Sequence, residues 1–391
     1  MSTLKVNKLR DTAGSADAIT LDPNGGAVLA GVTTVTSVKV GAAVTISESG
    51  IEASGIGITC ANINGTQIGG RRNFIINGAM QVAQRGTSSG SSGYKTVDRI
   101  ETSVNDLDET PTFAQVDVSS GTSPYTEGFR KAFKMTNGNQ TGGAGTVDKS
   151  EVHYKIEAQD IANSGWNYTS SSSFVTLSFW IKSSVAQNFF GHLKTTDNTA
   201  YNYPFETGSL SADTWTKVTK TIPGNSNLVF NNDNGIGLTI LFYGFMGTAL
   251  TGSVSLDTWA AYVSSTRTPD QTSTWHTTND ATLEFTGLQL EVGSQATPFE
   301  HRPYTEEFKL CQRYYQVGSS IGASYGSSNG YARGGSVYAT QMRATPTLAT
   351  TNSGSGSIIA SGTSNTGFYV TYGSLGGSSA GIFSFIADAE L

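Results

Sequence analysis

The side chains best suited to catalysis or metal binding are sparse in this chain. The four histidines are His153, His192, His276 and His301. None is paired with another at the short spacing that metal ligands show. His301 stands between Glu300 and Arg302, a pattern typical of an exposed polar corner. The histidines therefore indicate no metal-dependent hydrolase.

The serine-hydrolase pattern G-x-S-x-G occurs four times, beginning at Gly86, Gly322, Gly326 and Gly377. Its serine works as a nucleophile on a strand-to-helix turn of a parallel α/β sheet, and no such sheet is predicted here. A chain rich in Gly and Ser produces the pattern by chance. Paired carboxylates could cleave glycans if they lay roughly 5–10 Å apart, a separation that sequence does not give. We therefore expect no enzymatic activity and no cofactor.

Aromatic side chains are the stronger candidates, because an aromatic ring can pack on the apolar face of a sugar. Trp180 and Trp215 lie in alternating strand patterns and are expected in the core. Trp166 lies in the loop-like stretch NSGWNYTSS and is the better candidate for binding. Near the C-terminus, aromatic residues alternate with Gly, Ser and Asn as in antibody recognition loops, although ordinary β-core and turn filling is the alternative. The candidate glycan contacts are Trp166, Tyr201, Tyr203, Tyr325, Tyr331 and Tyr369.

The composition of the chain favours a scaffold made mostly of β-strands. Of 391 residues 46 are glycine, and only 14% are charged, against about 25% in an average protein. Glycine and β-branched residues are poor helix formers. We expect a mainly β protein with short strands and many turns.

Charge and cysteine content exclude several classes of protein. The net charge is −6, and the chain has no run of Lys and Arg long enough to neutralise phosphates, so we expect no nucleic-acid partner. Two cysteines, Cys60 and Cys311, do not make a disulfide scaffold. The start of the chain lacks an apolar signal core. The longest apolar run, 236–247, is too short to cross a bilayer, so we expect no membrane insertion.

The first of three predicted parts is residues 1–72, which read as very short strands separated by Gly or Ser. Valines and isoleucines at even spacing would share one face of an extended chain. The segment has no aromatic residue, and it would bury too little apolar surface alone to offset its chain entropy. A flexible tail is one interpretation; a shaft of identical chains wound together is the one we favour. The residues predicted at the axis of such a trimer are Val38, Val40, Val44, Ile46, Ile56 and Ile58.

The second part, residues 73–303, is predicted to be a two-sheet β-sandwich. Its clearest strand is SSFVTLSFWIKSS, in which Val175, Leu177 and Phe179 face one way and Trp180 faces the other. Many short strands with frequent turn signals over this length are typical of such a sandwich.

The third part, residues 304–391, is predicted to begin with a short helix that ends near Val317. Thr305 can cap it, and Phe308, Cys311 and Tyr315 would share one face as a structural hinge packed on the sandwich. Strands separated by Gly/Ser turns follow and would form a C-terminal β tip domain.

Several stretches together resemble the distal part of tail-fibre proteins of tailed bacteriophages, including cyanophages. They are NFIINGAMQVAQRG, SFWIKSS, WTKVTKTIPG, LQLEVGSQATPFEHRPYTEEFKLCQRYY, MRATPT and the final ADAEL. The match covers residues 73 to about 350, and the stretch 287–316 is its most specific element. In such fibres the middle domain resembles the jelly roll of carbohydrate-binding modules.

The resemblance implies a homotrimeric fibre protein of the virion, made in the host cytoplasm, that mediates adsorption to the host cell surface. Its partners would be other tail proteins at the N-terminus and a host surface glycan or receptor at the tip. Jelly rolls of this type often hold a structural calcium ion, for which Asn77 and Glu291 could supply oxygens. The alternative function is a fibre or spike depolymerase that cleaves host polysaccharide, and a monomeric lectin-like module is a third.

Overall fold

The computed structural model describes residues 72–322, 330–352, 357–375 and 381–391, together with six short strands before residue 54. Side chains are described from residue 72 onward, except within 320–332, 353–356, 360 and 374–382. The chain divides into two compact units, Met1–Ala61 and Asn62–Leu391. The mainly β prediction is confirmed.

The first unit contains two three-stranded antiparallel sheets. Their strands are β1 Lys8–Leu9, β2 Ile19–Leu21, β3 Ala27–Leu29, β4 Ser37–Val40, β5 Val44–Ser47 and β6 Gly50–Ala53. Four of the residues predicted at a trimer axis lie on β4 and β5, but their side chains lie outside the described residues. Ile56 and Ile58 lie outside them altogether, so the trimeric shaft stays a prediction.

The larger part of the second unit is a sandwich of two six-stranded sheets, which we call the jelly-roll sandwich. Its strands are β7 Ser88–Ser89, β8 Ile100–Asn105, β9 Thr112–Asp117, β10 Lys131–Thr136, β11 Lys149–Glu157, β12 Phe174–Ser183, β13 Asn188–Thr195, β14 Tyr201–Ser209, β15 Thr216–Pro223, β16 Ile236–Met246, β17 Ala260–Ala261 and β18 Thr282–Val292. One sheet has the order β15-β12-β18-β10-β9-β7 and the other β17-β14-β13-β16-β11-β8, with antiparallel pairs. Three helices of four or five residues lie in its loops: α1 Ser123–Thr126, α2 Ala158–Ala162 and α3 Thr274–Thr277.

The alternating side chains of β12 face the directions that the sequence predicts. Val175, Leu177 and Phe179 are buried in the core between the sheets, where rings of Phe179 and Phe242 from opposite sheets meet at 4.9 Å. Trp180 points to the outer face, where a smaller cluster around Phe129 covers it. Period-two burial of this kind is what fixes a strand's register.

Helix α4, Tyr304–Gln312, follows the jelly-roll sandwich. Pro303 precedes it and two glutamates lie in its first turn, where the helix dipole favours negative charge. Thr305 lies inside the helix and Pro303 takes the N-cap position, so the predicted cap is wrong. The predicted end near Val317 is also wrong.

The helix stops early because the next residues form a strand ladder. Tyr315 pairs with Asp388, and the pairing continues along the strand; a partner that distant in sequence overrides local helix preference. The C-terminal strands are β19 Tyr315–Gly322, β20 Gly330–Val337, β21 Thr347–Asn352, β22 Ser357–Thr363, β23 Gly367–Leu375 and β24 Gly381–Asp388.

These six strands form two three-stranded sheets, β19-β24-β21 and β20-β23-β22, which we call the C-terminal sandwich. Its core is built by alternate residues of β23 and β24, among them Phe368, Tyr372, Phe383 and Phe385. The rings of Phe368 and Phe385 lie 4.6 Å apart. Alternate residues of β23, Phe368, Val370 and Tyr372, face this core and are buried. Tyr369 lies between two of them in sequence and therefore faces outward.

The two sandwiches are joined by buried charges near the end of the chain. Glu390 forms an ion pair with Arg99 and another with Arg85 at 3.3 Å. The guanidinium of Arg99 also donates to the backbone oxygen of Lys155 at 2.6 Å and lies 3.5 Å above the ring of Tyr314. We call this group the Glu390 clamp. In the part of the chain that the structure describes, no helix is long and apolar enough to span a membrane.

Candidate functional site

The structure places Trp166 in the core of the jelly-roll sandwich, with 3% of its surface exposed. Its indole nitrogen donates to the backbone oxygen of Ser173 at 3.2 Å, and its ring packs near Tyr168 and Phe230. The loop folds back over the ring, and a buried indole N–H finds a partner there. The prediction of Trp166 as a glycan contact is therefore wrong.

The two candidate tyrosines of β14 also point inward. Tyr203 is 2% exposed, lies 5.2 Å from the ring of Trp259 and has a pKa that burial raises. Tyr201 is half-buried and packs against the same core. Tyr203 is thus unavailable to a sugar, which contradicts its prediction, and Tyr201 offers only part of its ring.

Tyr369, on the central strand of its sheet, is the predicted contact with an open ring, and 51% of its surface is exposed. Its neighbours across the ladder are Gly335 on β20 and Gly362 on β22. A Cβ atom on Gly362 would lie 2.6 Å from Cε1 of Tyr369, so the ring lies over the glycine backbone. A side chain at residue 362 would displace that ring. Tyr325 and the side chain of Tyr331 lie outside the described residues.

A cavity of about 790 Å³ surrounds this ring, which we call the Tyr369 groove. Its lining residues are Gly335, Ser336, Val337, Gly362, Thr363, Ser364, Thr366, Gly367, Phe368 and Tyr369. All are uncharged, and five, including Tyr369 itself, carry hydroxyl groups. Val337 at its edge is 80% exposed. The groove therefore offers one flat ring, backbone groups and hydroxyls to a neutral ligand.

A second cavity, of about 490 Å³, lies on the outer face of the jelly-roll sandwich and is here named the Glu127 pocket. Its charged groups are Glu127, directly after α1, and Lys217 on β15, which form an ion pair at 3.1 Å. Trp180, cross-strand from Lys217, donates its indole N–H to the same carboxylate at 3.1 Å. Residues 296–299 and His301 complete the wall.

Aromatic packing fixes the position of this wall. The ring of Phe299 lies 4.8 Å from Phe129 and 4.8 Å from His301. His301 donates from Nε2 to the backbone oxygen of Glu127 at 2.8 Å. A Cβ atom on Gly128 would lie 2.9 Å from that nitrogen, and the φ of +101° there suits glycine. Sequence reasoning missed this pocket because its members come from three distant segments.

Charged side chains also form a network on the outer face of the other sheet. Glu151, 2% exposed, contacts Lys149 at 2.7 Å and Arg267 at 2.9 Å. His153 lies between Glu151 and Glu101, with one ring nitrogen 3.1 Å from each carboxylate. Such a position requires both nitrogens to donate, so it favours the imidazolium.

Burial and hydrogen bonding act oppositely on this network. Burial opposes charge on His153, but its hydrogen bonds to Glu101 and Glu151 prevail and raise its pKa. Burial likewise opposes ionisation of Glu151, but His153 and Lys149 lower its pKa to about 2. The network is therefore a charged cluster in which two carboxylates stabilise the imidazolium of His153.

The remaining histidines are structural. His192 is buried, its Nδ1 forms a hydrogen bond with the hydroxyl of Tyr243 at 2.9 Å, and burial lowers its pKa to about 3. His276 is buried, stacks on Phe245 at 4.2 Å and contacts Asp148 at 3.1 Å. Neither imidazole reaches a cavity wall described above.

The oxygens proposed for calcium are engaged elsewhere. Oδ1 of Asn77 accepts from the backbone N–H of Val82 at 2.9 Å. Oε1 of Glu291 accepts from Gln289 and from the backbone N–H of Thr297, each at 2.8 Å. The two side chains thus stabilise their own loops, and their assignment as calcium ligands stays a prediction. Over the described residues there is no cluster of three or more His, Cys, Asp or Glu that could hold a metal ion.

The hydrolase pattern that begins at Gly86 has the wrong surroundings. Its serine, Ser88, lies on the two-residue strand β7, which pairs antiparallel with β9. No helix follows, so the serine has no nucleophile elbow. The other three occurrences include residues outside the described ranges.

The stretch 287–316, the most specific element of the resemblance, closes the sandwich. Glu300 accepts from the backbone N–H groups of Arg72 and Asn73 at 2.9 and 2.6 Å. Arg302 donates to the backbone oxygens of Asn73 and Ile75 at 2.8 and 3.1 Å. Glu307 on α4 accepts from the backbone N–H of Asn77 at 2.6 Å. Its charges thus satisfy the backbone of the segment that enters the sandwich.

The hinge residues lie at the same junction. Cys311 is 1% and Tyr315 6% exposed, and Phe308 is half-buried. Cys311 packs with Ile76 and Tyr314 in a small cluster, and Phe308 packs against that cluster. Tyr314 does not lie on the helical face predicted for Phe308, Cys311 and Tyr315. It is nevertheless more buried than Tyr315, because it packs in the cluster with Ile76 and Cys311.

No protein-family model matches the chain. No curated protein matches its sequence. Among solved structures, the enzymatically active domain of bacteriophage CBA120 tailspike protein 4 is similar to it with a TM-score of 0.28 and 8% identity, over 56% of this chain and 21% of that one. A CBM4 carbohydrate-binding module is similar with a TM-score of 0.29 and 12% identity, over 55% of this chain and 97% of that one.

A family 11 carbohydrate-binding module from Clostridium thermocellum, solved with a mixed-linked tetrasaccharide, gives a TM-score of 0.24 and 10% identity. It is covered over 98% of its length by 55% of this chain. At TM-scores this low, these similarities assign neither a function nor a ligand to this chain.

Proposed function

We propose that this protein is a fibre-type adsorption protein that binds a neutral surface glycan through the Tyr369 groove. The observation that carries the proposal is the exposed ring of Tyr369, which lies over the backbone of Gly362 inside a cavity of about 790 Å³. Ligand sites commonly enclose roughly 300–1,000 Å³. The groove falls in that range.

The chemistry of the groove suits a sugar rather than a charged ligand. A pyranose has apolar C–H faces that pack on an aromatic ring and hydroxyls that both donate and accept. Ser336, Thr363 and Thr366 present hydroxyl groups of the same kind at the wall. Because no lining residue is charged, the groove gives an anionic polymer no electrostatic attraction.

The fibre role rests on the resemblance of residues 73 to about 350 to distal tail-fibre proteins. In this proposal the chains form a homotrimer through residues 1–72, the N-terminus attaches to other tail proteins of the virion, and the C-terminal sandwich meets the host. Three weak grooves on one trimer, and several trimers on one particle, would raise the overall affinity without strong single contacts.

We further propose that the protein binds glycan without cleaving it. Glycoside hydrolysis uses two carboxylates about the scissile bond. The residues that line the Tyr369 groove include no Asp or Glu. Incubation of host polysaccharide with the protein should release no new reducing ends, and their appearance would favour the depolymerase alternative.

The test of the binding site uses the full-length protein, fluorescently labelled, on intact host cells. Tyr369→Ala should lower cell binding at least tenfold, because the stacking surface is lost, whereas Tyr369→Phe should retain most of it. Tyr304 is an exposed tyrosine outside the groove, 56% exposed, so Tyr304→Ala is the matched control. Equal binding of wild type and Tyr369→Ala would remove the groove from the proposal.

A further inference from the structure

The Glu127 pocket has the features of a binding site that is separate from the Tyr369 groove. The carboxylate of Glu127 is held from two directions, by Lys217 at 3.1 Å and by the indole N–H of Trp180 at 3.1 Å. Yet both partners of the ion pair remain open to the cavity, with 39% and 36% of their side chains exposed. The pair is thus fixed in place and still accessible.

Stability does not explain this arrangement well. An ion pair this exposed contributes little to folding stability. The indole of Trp180 and the imidazole of His301 are nevertheless both directed at Glu127, one to its side chain and one to its backbone oxygen. Groups that hold a weak pair in one geometry reduce the entropy lost when a ligand binds to it.

The pair selects a particular ligand chemistry. A carboxylate only accepts hydrogen bonds and an ammonium only donates them. Two neighbouring hydroxyls of a sugar ring can satisfy both at once, since one donates to Glu127 and the other accepts from Lys217. Phe299 and Pro298 supply the apolar wall beside them, on which the C–H face of the ring can pack.

We propose that the Glu127 pocket is a second saccharide site, which binds one neutral pyranose unit through two adjacent ring hydroxyls. Charge-assisted hydrogen bonds are shorter and stronger than neutral ones, so the pair orients the sugar. An anionic sugar is disfavoured because Lys217 Nζ lies 3.1 Å from the Glu127 carboxylate, so a ligand carboxylate that accepts from Lys217 would lie close to a second negative charge. The inference does not depend on the Tyr369 groove, and a single set of variants separates the two sites.

The experiment is ligand-observed saturation-transfer NMR on the full chain, with the methyl pyranosides of glucose, galactose and mannose as probes. All variants carry Tyr369→Ala, so that the groove contributes nothing. In this background at least one probe should receive saturation, and Glu127→Gln should weaken its binding about tenfold or more. Methyl glucuronide should bind more weakly than methyl glucoside.

The matched control is Glu284→Gln. Glu284 pairs with Lys182 at 3.1 Å on the same outer face of the same sheet, outside the pocket, and its replacement should leave the saturation transfer unchanged. Phe299→Leu, which keeps apolar volume but removes the ring, should lower the affinity several-fold while circular dichroism shows a folded protein.

Two results would overturn the inference. One is the absence of saturation transfer to every probe in the Tyr369→Ala protein. The other is equal affinity for the probe in the Tyr369→Ala protein and in the double variant that also carries Glu127→Gln. Neither bears on the proposed function, which fails instead if Tyr369→Ala leaves cell binding intact.

Discussion

Replacement of Glu390 by Gln tests whether the Glu390 clamp joins the two sandwiches. Glu390 is buried, and its carboxylate faces the guanidiniums of Arg99 and Arg85, which are 1% and 7% exposed. Arg85 has a second partner, Asp388, at 3.1 Å. Among the described residues, Glu390 is the carboxylate that contacts Arg99, and its charge raises the pKa of that guanidinium against the opposing effect of burial.

The expected cost follows from the charge that remains. Removal of one partner of a buried ion pair typically destabilises a protein by about 3–5 kcal/mol, because the other charge stays buried without compensation. Glu390→Gln keeps the size of the side chain and one oxygen, but leaves the charge of Arg99 unbalanced. We expect the free energy of unfolding to fall by about 3 kcal/mol, and by up to about 5 kcal/mol for Glu390→Ala.

The assay combines urea denaturation with amide hydrogen exchange. Exchange should accelerate first in β24 and in α4, because both lie at the junction that the clamp holds, and local opening precedes global unfolding there. The matched control is Asp117→Asn, which removes the partner of Lys131 in an exposed pair at 2.6 Å and should cost about 0–1 kcal/mol. If Glu390→Gln is no more destabilising than that control, the clamp does not join the sandwiches.

Three further predictions concern single side chains. In urea denaturation, His153→Gln should destabilise the protein more at about pH 5.5 than at about pH 8.5. The pKa of His153 is raised in the folded protein, so the stabilisation by its charged form is complete below about pH 6.5 and is lost as the pH rises through the folded pKa. Equal destabilisation at both pH values would show that His153 is not charged in the network. Phe308→Ala should lower the free energy of unfolding by about 1–2 kcal/mol in the same assay, since the Phe308 ring is half-buried. Phe133→Ala, at a fully buried ring, should lower it by about 3–5 kcal/mol. Similar values for the two variants would show that α4 packs more tightly than the exposure of Phe308 indicates. Trp166→Ala should cost about 3–5 kcal/mol and leave the cell binding of the folded protein unchanged, and selective loss of binding with normal stability would restore Trp166 as a contact.

Where a pattern is local, the sequence predicts the structure well. The alternation in β12 places Phe179 inside and Trp180 outside because side chains of a strand point to opposite faces. The acidic first turn after Pro303 predicts a helix there. Each signal lies within a few residues of the feature that it determines, so no distant partner has to be known.

Where a distant partner decides, the same reasoning fails. The end of α4 depends on the ladder between Tyr315 and Asp388, and local helix periodicity contains nothing about β24. Trp166 reads as a surface loop residue because its neighbours are polar. Its burial depends on Ser173 and Phe230, which reach it only when the loop folds back.

The candidate sites could likewise be predicted only where local sequence determines them. Tyr369 could be predicted as a contact from its Gly- and Ser-rich neighbourhood, but the flat presentation of its ring depends on Gly362 across the ladder. The Glu127 pocket could not be predicted, because Glu127, Lys217 and Phe299 are brought together only by the fold. A lone carboxylate between Thr126 and Gly128 carries no sequence signal of a site.

The charged residues of the most recognisable stretch, unlike its residues 296–299 and His301, line neither of the two cavities described above. Glu300, Arg302 and Glu307 are buried or half-buried charges that hold the backbone of the segment 72–77. A charge in such a position tolerates few substitutions, because any change leaves a donor or acceptor unpaired. An exposed ring over a glycine, by contrast, needs only small neighbours, which a chain rich in Gly, Ser and Thr supplies in many arrangements. Under the proposed function, such a division would let the glycan specificity change at the Tyr369 groove while the junction that positions both sandwiches stays the same.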